Sequence, residues 1–144
     1  MKYDIEVCIY WNKKFMVNQR STFDRIDLMQ NECSACLDIL ENGFRNVVKV
    51  KDEELSNKQW SEMLGIVDIV IVVDGQEMLR TGTSRPNSLK YLPEMIRDIS
   101  LIMLRSIDNI TNDRKQDSNV RFRMVKDNGK FDKDKAFFDG NFTN

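Results

Sequence analysis

Apolar and polar residues follow a strand-like pattern in two parts of the chain, and each part ends in residues that favour a turn. Tyr3–Trp11 alternates with period two and reaches Asn12-Lys13, after which a second strand is predicted around Lys14–Gln19. Ile66–Val73 is almost wholly apolar, as expected of a buried strand, and runs into Asp74-Gly75, which suits a two-residue hairpin turn. The pattern therefore predicts two β-hairpins.

Three other segments carry apolar residues at the spacing of an α-helix. The first runs from about Ile26 to Gly43, where glycine supplies a left-handed stop. The second begins at Ser56 and ends at Gly65, and the third is long, with Pro93 in its first turn. The apolar positions of the first helix are Ile26, Met29, Cys33, Cys36, Leu37 and Leu40. Those expected to be buried by the second and third helices are Trp60, Met63, Leu64, Ile96, Ile99, Ile102, Met103, Ile107 and Ile110.

The remaining pattern adds a short strand at Val47–Val50 and a C-terminal hairpin that turns at Asp127–Gly129. The predicted order is β-β-α-β-α-β-β-α-β-β. This order predicts an α+β fold in which a mixed, mainly antiparallel sheet of about six to seven strands packs against three helices. We expect residues 1–144 to form a single domain, with 130–144 as a loosely ordered tail, and the sequence displays no internal repeat.

Composition and charge narrow the range of partners. Hydrophobic residues make up 41% of the chain and charged residues 31%, which is ordinary for a soluble globular protein. The net charge of −1 gives no global positive field to attract a phosphate backbone, so nucleic acid is not the expected partner. No apolar run approaches the about 20 residues of a membrane helix, and the N-terminus lacks the apolar region of a signal peptide, so we expect a cytoplasmic protein without membrane contact. Abundant Asn, Lys, Ile and Asp are typical of A/T-rich coding and hint at a bacterial mobile element or a phage.

The chain has no histidine, which removes the commonest general base and every Ser-His or Cys-His pair. Cys33 and Cys36 have the CxxC spacing of redox and zinc sites. Both fall on the apolar stripe well inside the first predicted helix, whereas a redox pair needs its first thiol at a helix N-terminus. A zinc site needs four ligands, and Cys8 is the only other cysteine. We therefore assign the cysteines to core packing and expect no cofactor.

A metal site would have to use carboxylates. The candidates are Glu6, Asp68, Asp74 and Glu77. If Asp74-Gly75 is a two-residue turn, Val72 faces Glu77. Asp68 then faces Thr81, four residues further along the ladder, which separates the two acids by roughly 13 Å, too far for one metal ion. Convergence of carboxylates from adjacent strands after folding stays open, so a metal-dependent nuclease or phosphotransfer enzyme is the alternative function.

One stretch near the C-terminus is locally basic and interleaved with Phe122. Its candidate nucleic-acid contacts are Arg121, Arg123 and Lys126. Acidic residues interrupt this stretch, and Phe122 is in step with apolar Val120 and Met124, which favours a strand that faces a core. Nucleic-acid binding is therefore a second alternative.

The absence of a nucleophile, a base and a phosphate-binding loop favours a binding protein and argues against an enzyme without excluding one. We expect a small inhibitor of the immunity or antitoxin type, or a phage or mobile-element antagonist, that contacts another protein such as a toxin or a host enzyme. Asp52, Glu53 and Glu54 are the candidate contacts, because an acidic cluster speeds encounter with a basic partner.

Overall fold

Two β-hairpins, each followed by a long helix, build most of the structure. The computed structural model describes residues 2–116. Its elements in chain order are β1 (Tyr3–Trp11), β2 (Lys14–Phe23), α1 (Met29–Asp52), α2 (Asn57–Glu62), β3 (Leu64–Gly65), β4 (Val67–Val73), β5 (Gln76–Gly82), β6 (Asn87–Ser88) and α3 (Leu92–Gln116). Short 3-10 helices at Ile26–Leu28 and Leu89–Tyr91 lead into α1 and α3. The predicted α+β class is confirmed.

The main sheet is antiparallel throughout, with the strand order β2-β1-β4-β5. β3 and β6 form a separate two-stranded pair. α1 and α3 pack on one face of the main sheet and run antiparallel to each other, because Gln30 near the start of α1 bonds to Leu104 of α3, while Arg45 pairs with Glu94 at the start of α3. The core between this face and the helices includes Ile5, Val7, Ile9, Met29, Leu37, Ile69, Ile71, Val73, Ile96, Met103 and Ile107.

The two hairpins have the same turn and the same irregularity. Asn12 and Lys13 turn the first hairpin with φ of 51° and 69°, and Asp74 and Gly75 turn the second with φ of 51° and 79°. Two successive positive φ values match the twist of the strands, so the predicted Asp74-Gly75 turn is confirmed. The register of each hairpin shifts once, at a β-bulge that leaves one methionine without a partner across the ladder. This residue is Met16 in β2 and, 62 positions later, Met78 in β5.

The helices repeat in the same way, with an offset of 63 positions. The buried counterparts in α1 and α3 are Met29 and Leu92, Cys33 and Ile96, Cys36 and Ile99, Leu37 and Ser100, and Leu40 and Met103. The structure is therefore built from two ββα units, residues 3–52 and 65–114, placed around a pseudo-twofold axis between β1 and β4. The sequence displays no repeat because the units share a burial pattern and not residue types.

The strand predicted at Val47–Val50 is wrong, because α1 continues through it to Asp52. Gly43 does not stop the helix either. A run of β-branched residues favours a strand, but Phe44 and Val48 are at helical spacing and turn one side of α1 towards Trp60. Tertiary packing of this kind outweighs the small helix propensity differences involved.

The other two helices also differ in detail from the prediction. Ser56 caps α2 in a capping box with Gln59, which confirms where that helix begins. Met63 and Leu64 are exposed although we expected them to be buried, and so is Ile102 of α3, at 57%. The predicted C-terminal hairpin and the tail 130–144 lie outside the described residues.

Candidate functional site

Three of the predicted carboxylates lie on the sheet face that points away from α1 and α3. Glu6, Val72 and Glu77 occupy one row across β1, β4 and β5, which confirms the predicted pairing of Val72 with Glu77. Because neighbouring strands are about 4.8 Å apart, the backbones of the two glutamates are roughly 10 Å apart. Asp68 lies opposite Gly82 and not opposite Thr81, since the bulge at the β5 methionine shifts the register by one.

Each glutamate in this row has a donor from its own hairpin. Arg80 donates from both Nε and Nη2 to the Glu77 carboxylate, with Nε at 3.2 Å. The Asn18 amide donates to Glu6. Glu77 is only 2% exposed, so its charge depends on this bidentate pair.

The two aspartates are also engaged inside the protein. Lys13 Nζ lies 3.1 Å from Asp68 Oδ2. Asp74 Oδ1 accepts a bond of 2.8 Å from the backbone N–H of Asp4, which ties the second hairpin turn to β1. Within residues 2–116, no three Asp, Glu, Cys or His side chains are grouped so that they could hold a metal ion. The structure thus brings Glu6 and Glu77 into one row and leaves Asp74 at the turn.

The buried Tyr10, Cys33 and Cys36 offer no reactive group at neutral pH. Burial raises the pKa of the Tyr10 hydroxyl, and that of the Cys33 thiol, far above their ordinary values. Burial, with a smaller effect of Glu32, raises the pKa of Cys36 to about 11. Nucleophilic attack and zinc binding both require a thiolate, and these surroundings suppress it.

The acidic cluster at the end of α1 consists of Asp52, which bonds to other parts of the protein, and Glu53 and Glu54, which are exposed. Asp52 Oδ1 accepts a bond of 2.9 Å from the indole N–H of Trp60 and lies 3.3 Å from Lys90 Nζ. Asp52 therefore joins the end of α1 to α2 and to the 3-10 helix that leads into α3. Glu53 is exposed, and Glu54, also exposed, lies 3.3 Å from Lys51 Nζ.

An apolar groove adjoins this acidic cluster, between the second half of α1 and α2. The groove has a volume of about 240 Å³. Its lining residues are Met16, Phe44, Val47, Val48, Lys51, Leu55, Trp60, Met63, Leu89 and Leu92. We refer to it as the α1–α2 groove. Pockets lined mainly by apolar side chains with few polar groups are typical binding sites.

Exposed apolar side chains contribute to the lining of the α1–α2 groove. Val47 and Met63 line it and are exposed, whereas the exposed Phe15 packs against Tyr10 on the opposite sheet face. The other large exposed apolar side chains of residues 2–116 are Ile39, Val50, Leu64, Tyr91, Leu101 and Ile102. An apolar patch of this kind marks a contact surface more often than scattered apolar residues do. The groove escaped the sequence analysis because four distant segments form its walls. The signal in the sequence was the group of apolar residues Trp60, Met63 and Leu64, of which the structure buries only Trp60.

A larger cleft of about 490 Å³ lies on the other sheet face, beside the second hairpin turn. Its described lining residues are Asp4, Ile5, Glu6, Arg20, Ser21, Thr22, Val72 and Gly75. Its described lining presents charges of both signs, with Asp4 and Glu6 as the acids. These groups could hold a polar ligand, but they do not make a nucleophile and base pair.

The basic candidates Arg121, Arg123 and Lys126 lie outside the described residues. In residues 2–116, no helix combines the length and the apolar character needed to cross a lipid bilayer. The geometry of the α1–α2 groove and of the sheet carboxylates must carry the functional argument by itself, because comparison with protein families, curated proteins and solved structures finds no match to this chain.

Proposed function

We propose that this protein is a non-catalytic binding protein that acts through the α1–α2 groove. The observation that carries the proposal is an apolar groove with exposed apolar side chains in its lining. Val47 and Met63 line the groove and are both more than one-third exposed. Covering such side chains removes apolar surface from water, which contributes about 25 cal/mol per Å².

The partner that suits the groove is a protein with one or two apolar anchor side chains. A volume of about 240 Å³ is close to the lower limit of small-molecule sites and accommodates a large side chain or two. Anchors of this kind, surrounded by weaker contacts, provide most of the binding energy in protein interfaces. Helix sides and β2 form the groove, and the exposed side chains of Val47 and Met63 are accessible to an incoming surface.

Charge at the rim of the groove adds selectivity for a basic partner. Glu53 and Glu54 are exposed beside Leu55, which lines the groove. Complementary charges at a rim mainly raise the rate of encounter and exclude wrong partners. An inhibitor of the immunity or antitoxin type, or a phage or mobile-element antagonist, would use such a surface to cover a toxin or a host enzyme.

The proposal is tested by co-purification of the full chain from its native host with quantification of any bound polypeptide. We expect one partner in a fixed stoichiometric ratio. Met63→Glu should abolish its recovery, because the substitution places a charge in the groove. Ile102→Glu is the matched control, since Ile102 is also exposed and apolar but lies on α3 away from the groove. Recovery should be unchanged in this control.

Two results would contradict the proposal. One is a partner that binds Met63→Glu as well as the wild-type chain. The other is cleavage of nucleic acid that depends on magnesium or manganese and is abolished by Asp68→Ala, which would establish the enzymatic alternative.

A further inference from the structure

The sheet face that points away from α1 and α3, here called the outer sheet face, is buried although the helices do not cover it. Its apolar side chains are those of Cys8, Tyr10, Val70 and Val72, and each is at most 3% exposed. These residues are not part of the core that α1 and α3 complete on the inner face. β4 is buried at every position from Val67 to Val73. A strand that is buried throughout is covered on both faces of its sheet.

The other elements within residues 2–116 lie elsewhere. α2 bonds to the end of α1 through Trp60, and Gly65 of β3 packs against the ring of Trp11, a side chain that contacts the inner core. Neighbouring side chains of the outer sheet face cannot replace a second layer, because side chains stand roughly perpendicular to a sheet and leave their tips accessible. The cover of the outer sheet face must therefore come from outside residues 2–116.

We propose that the C-terminal segment of this chain, residues 117–144, docks on the outer sheet face. The segment follows α3 directly, and α3 contacts both β4 and β5, so the segment starts beside the sheet that it covers. Packed layers are about 10 Å apart, and extended chain spans about 3.3 Å per residue. A segment of this length can therefore pass around the edge of the sheet and cross its outer face.

Residues 120–124 are the part of the C-terminal segment that suits the outer sheet face best. Val120, Phe122 and Met124 alternate with Arg121 and Arg123, so a strand here has one apolar side and one basic side. The apolar side matches the apolar centre of the outer sheet face, while the two arginines stay in solvent. The core that this strand was expected to face is thereby assigned to the outer sheet face.

The charges around that apolar centre favour the same part of the segment. Glu6, Asp68 and Glu77 lie on the outer sheet face and are at most 8% exposed. Residues 120–126 contain three basic residues and no acidic one, whereas residues 127–139 mix acidic and basic residues. A basic stretch is attracted to an acidic border, and like charges placed together would be repelled.

This contact is separate from the one under Proposed function, because the outer sheet face shares no residue with the α1–α2 groove. It also gives the predicted basic stretch a role within the protein. While residues 120–124 are docked, their apolar side cannot stack against the bases of a nucleic acid.

The cysteines report on both faces of the sheet in one experiment. Cys8 lies on the outer sheet face, whereas Cys33 and Cys36 face the inner core, and all three are buried. Alkylation of the full chain with iodoacetamide, followed by peptide mapping in a mass spectrometer, gives the rate at each thiol. We expect all three thiols of the wild-type chain to be protected.

Phe122→Glu should increase the alkylation rate of Cys8 roughly tenfold or more and leave Cys33 and Cys36 protected, because it opens only the outer layer. Ile102→Glu is the matched control, since Ile102 is exposed on α3, and it should leave all three rates unchanged. Rapid alkylation of Cys8 in the wild-type chain, or an unchanged Cys8 rate in Phe122→Glu, would overturn the proposal.

Photochemical cross-linking decides the matter even if Phe122→Glu fails to fold. Benzoylphenylalanine in place of Phe122 keeps an aromatic side chain and, on illumination, joins to whatever it touches. We expect cross-links within one chain to residues 6–10 and 68–72. Cross-links between two chains would mean that a second copy supplies the cover. That result, cross-links confined to the helices, or no cross-link at all would contradict the proposal.

Discussion

The two ββα units are alike inside and different outside. Their turns and their extra methionines correspond, and every buried position of α1 has a buried counterpart in α3. The surfaces do not correspond. In the first unit, Gly43 has open space where a side chain would lie, and α1 forms one wall of the α1–α2 groove, whereas the second unit has Ser106 at the position of Gly43. Shared interior positions are explained by packing, so the positions at which the units diverge are where we look for function.

The units also differ in how they hold a carboxylate on the outer sheet face. In the first unit, the neutral Asn18 donates to Glu6. Its counterpart 62 positions later is Arg80, which forms a bidentate ion pair with Glu77. A buried carboxylate that loses a charged partner is destabilised more than one that loses a neutral donor.

The largest predicted effect comes from breaking the Arg80–Glu77 ion pair. Arg80→Ala should lower the free energy of unfolding by about 3–5 kcal/mol, because the 2% exposed Glu77 would lose its counter-charge. Asn18→Ala, the matched change in the first unit, should cost about 1–2 kcal/mol. Urea denaturation followed by tryptophan fluorescence measures both. Equal costs for the two variants would mean that the face is not held by the Arg80 pair.

The next largest effect is a pH dependence of the free energy of unfolding that is caused by Cys36. The second unit has Ile99 at this position, which does not titrate. Burial raises the pKa of Cys36 from its ordinary value of 9.0 to about 11 in the folded chain. Its contribution to stability is complete below the unfolded pKa and is lost as pH rises from about 9 to about 11. Between pH 8 and pH 10 the wild type should lose about 1 kcal/mol more than Cys36→Ala does. Parallel stability curves for the two chains would contradict the burial of this thiol.

The smallest predicted effect is a difference in stability between two alanine substitutions, one at Gly43 in α1 and one at its counterpart Ser106 in α3. Gly43→Ala should raise the free energy of unfolding by about 1 kcal/mol, since the added Cβ enters open space. Ser106→Ala, the equivalent change in α3, should gain only about 0.5 kcal/mol. Thermal denaturation of both variants checks the difference. A destabilised Gly43→Ala chain would mean that another part of the protein already occupies the space beside Gly43.

Local patterns predicted the hairpins well. Alternation in Tyr3–Trp11 and the Asp74-Gly75 dipeptide act over a few residues, and both hairpins formed where they were expected. The strand predicted at Val47–Val50 failed because the β-branched preference is weak and the packing of Phe44 decides the outcome. Asp68 was misplaced by one position because a bulge cannot be read from an alternating pattern.

The repeat and the groove lay beyond sequence reasoning for a different reason. Cys36 and Ile99 fill equivalent positions but differ in chemistry, so only the coordinates reveal the pair. The α1–α2 groove unites Met16, Trp60 and Leu89 from distant parts of the chain. Of the predicted acidic contacts, Asp52 is engaged by Trp60 and Lys90, whereas Glu53 and Glu54 are exposed beside Leu55 of the groove.

We expect this chain to act by contact with a partner at the α1–α2 groove. Hydrogen exchange of the chain, free and bound to the partner recovered from its native host, tests that claim most directly. We predict slower exchange in the bound state at residues 44–51, 55–63 and 89–92, with little change in 67–82. Slower exchange confined to 67–82, where the sheet carboxylates lie, would contradict the claim.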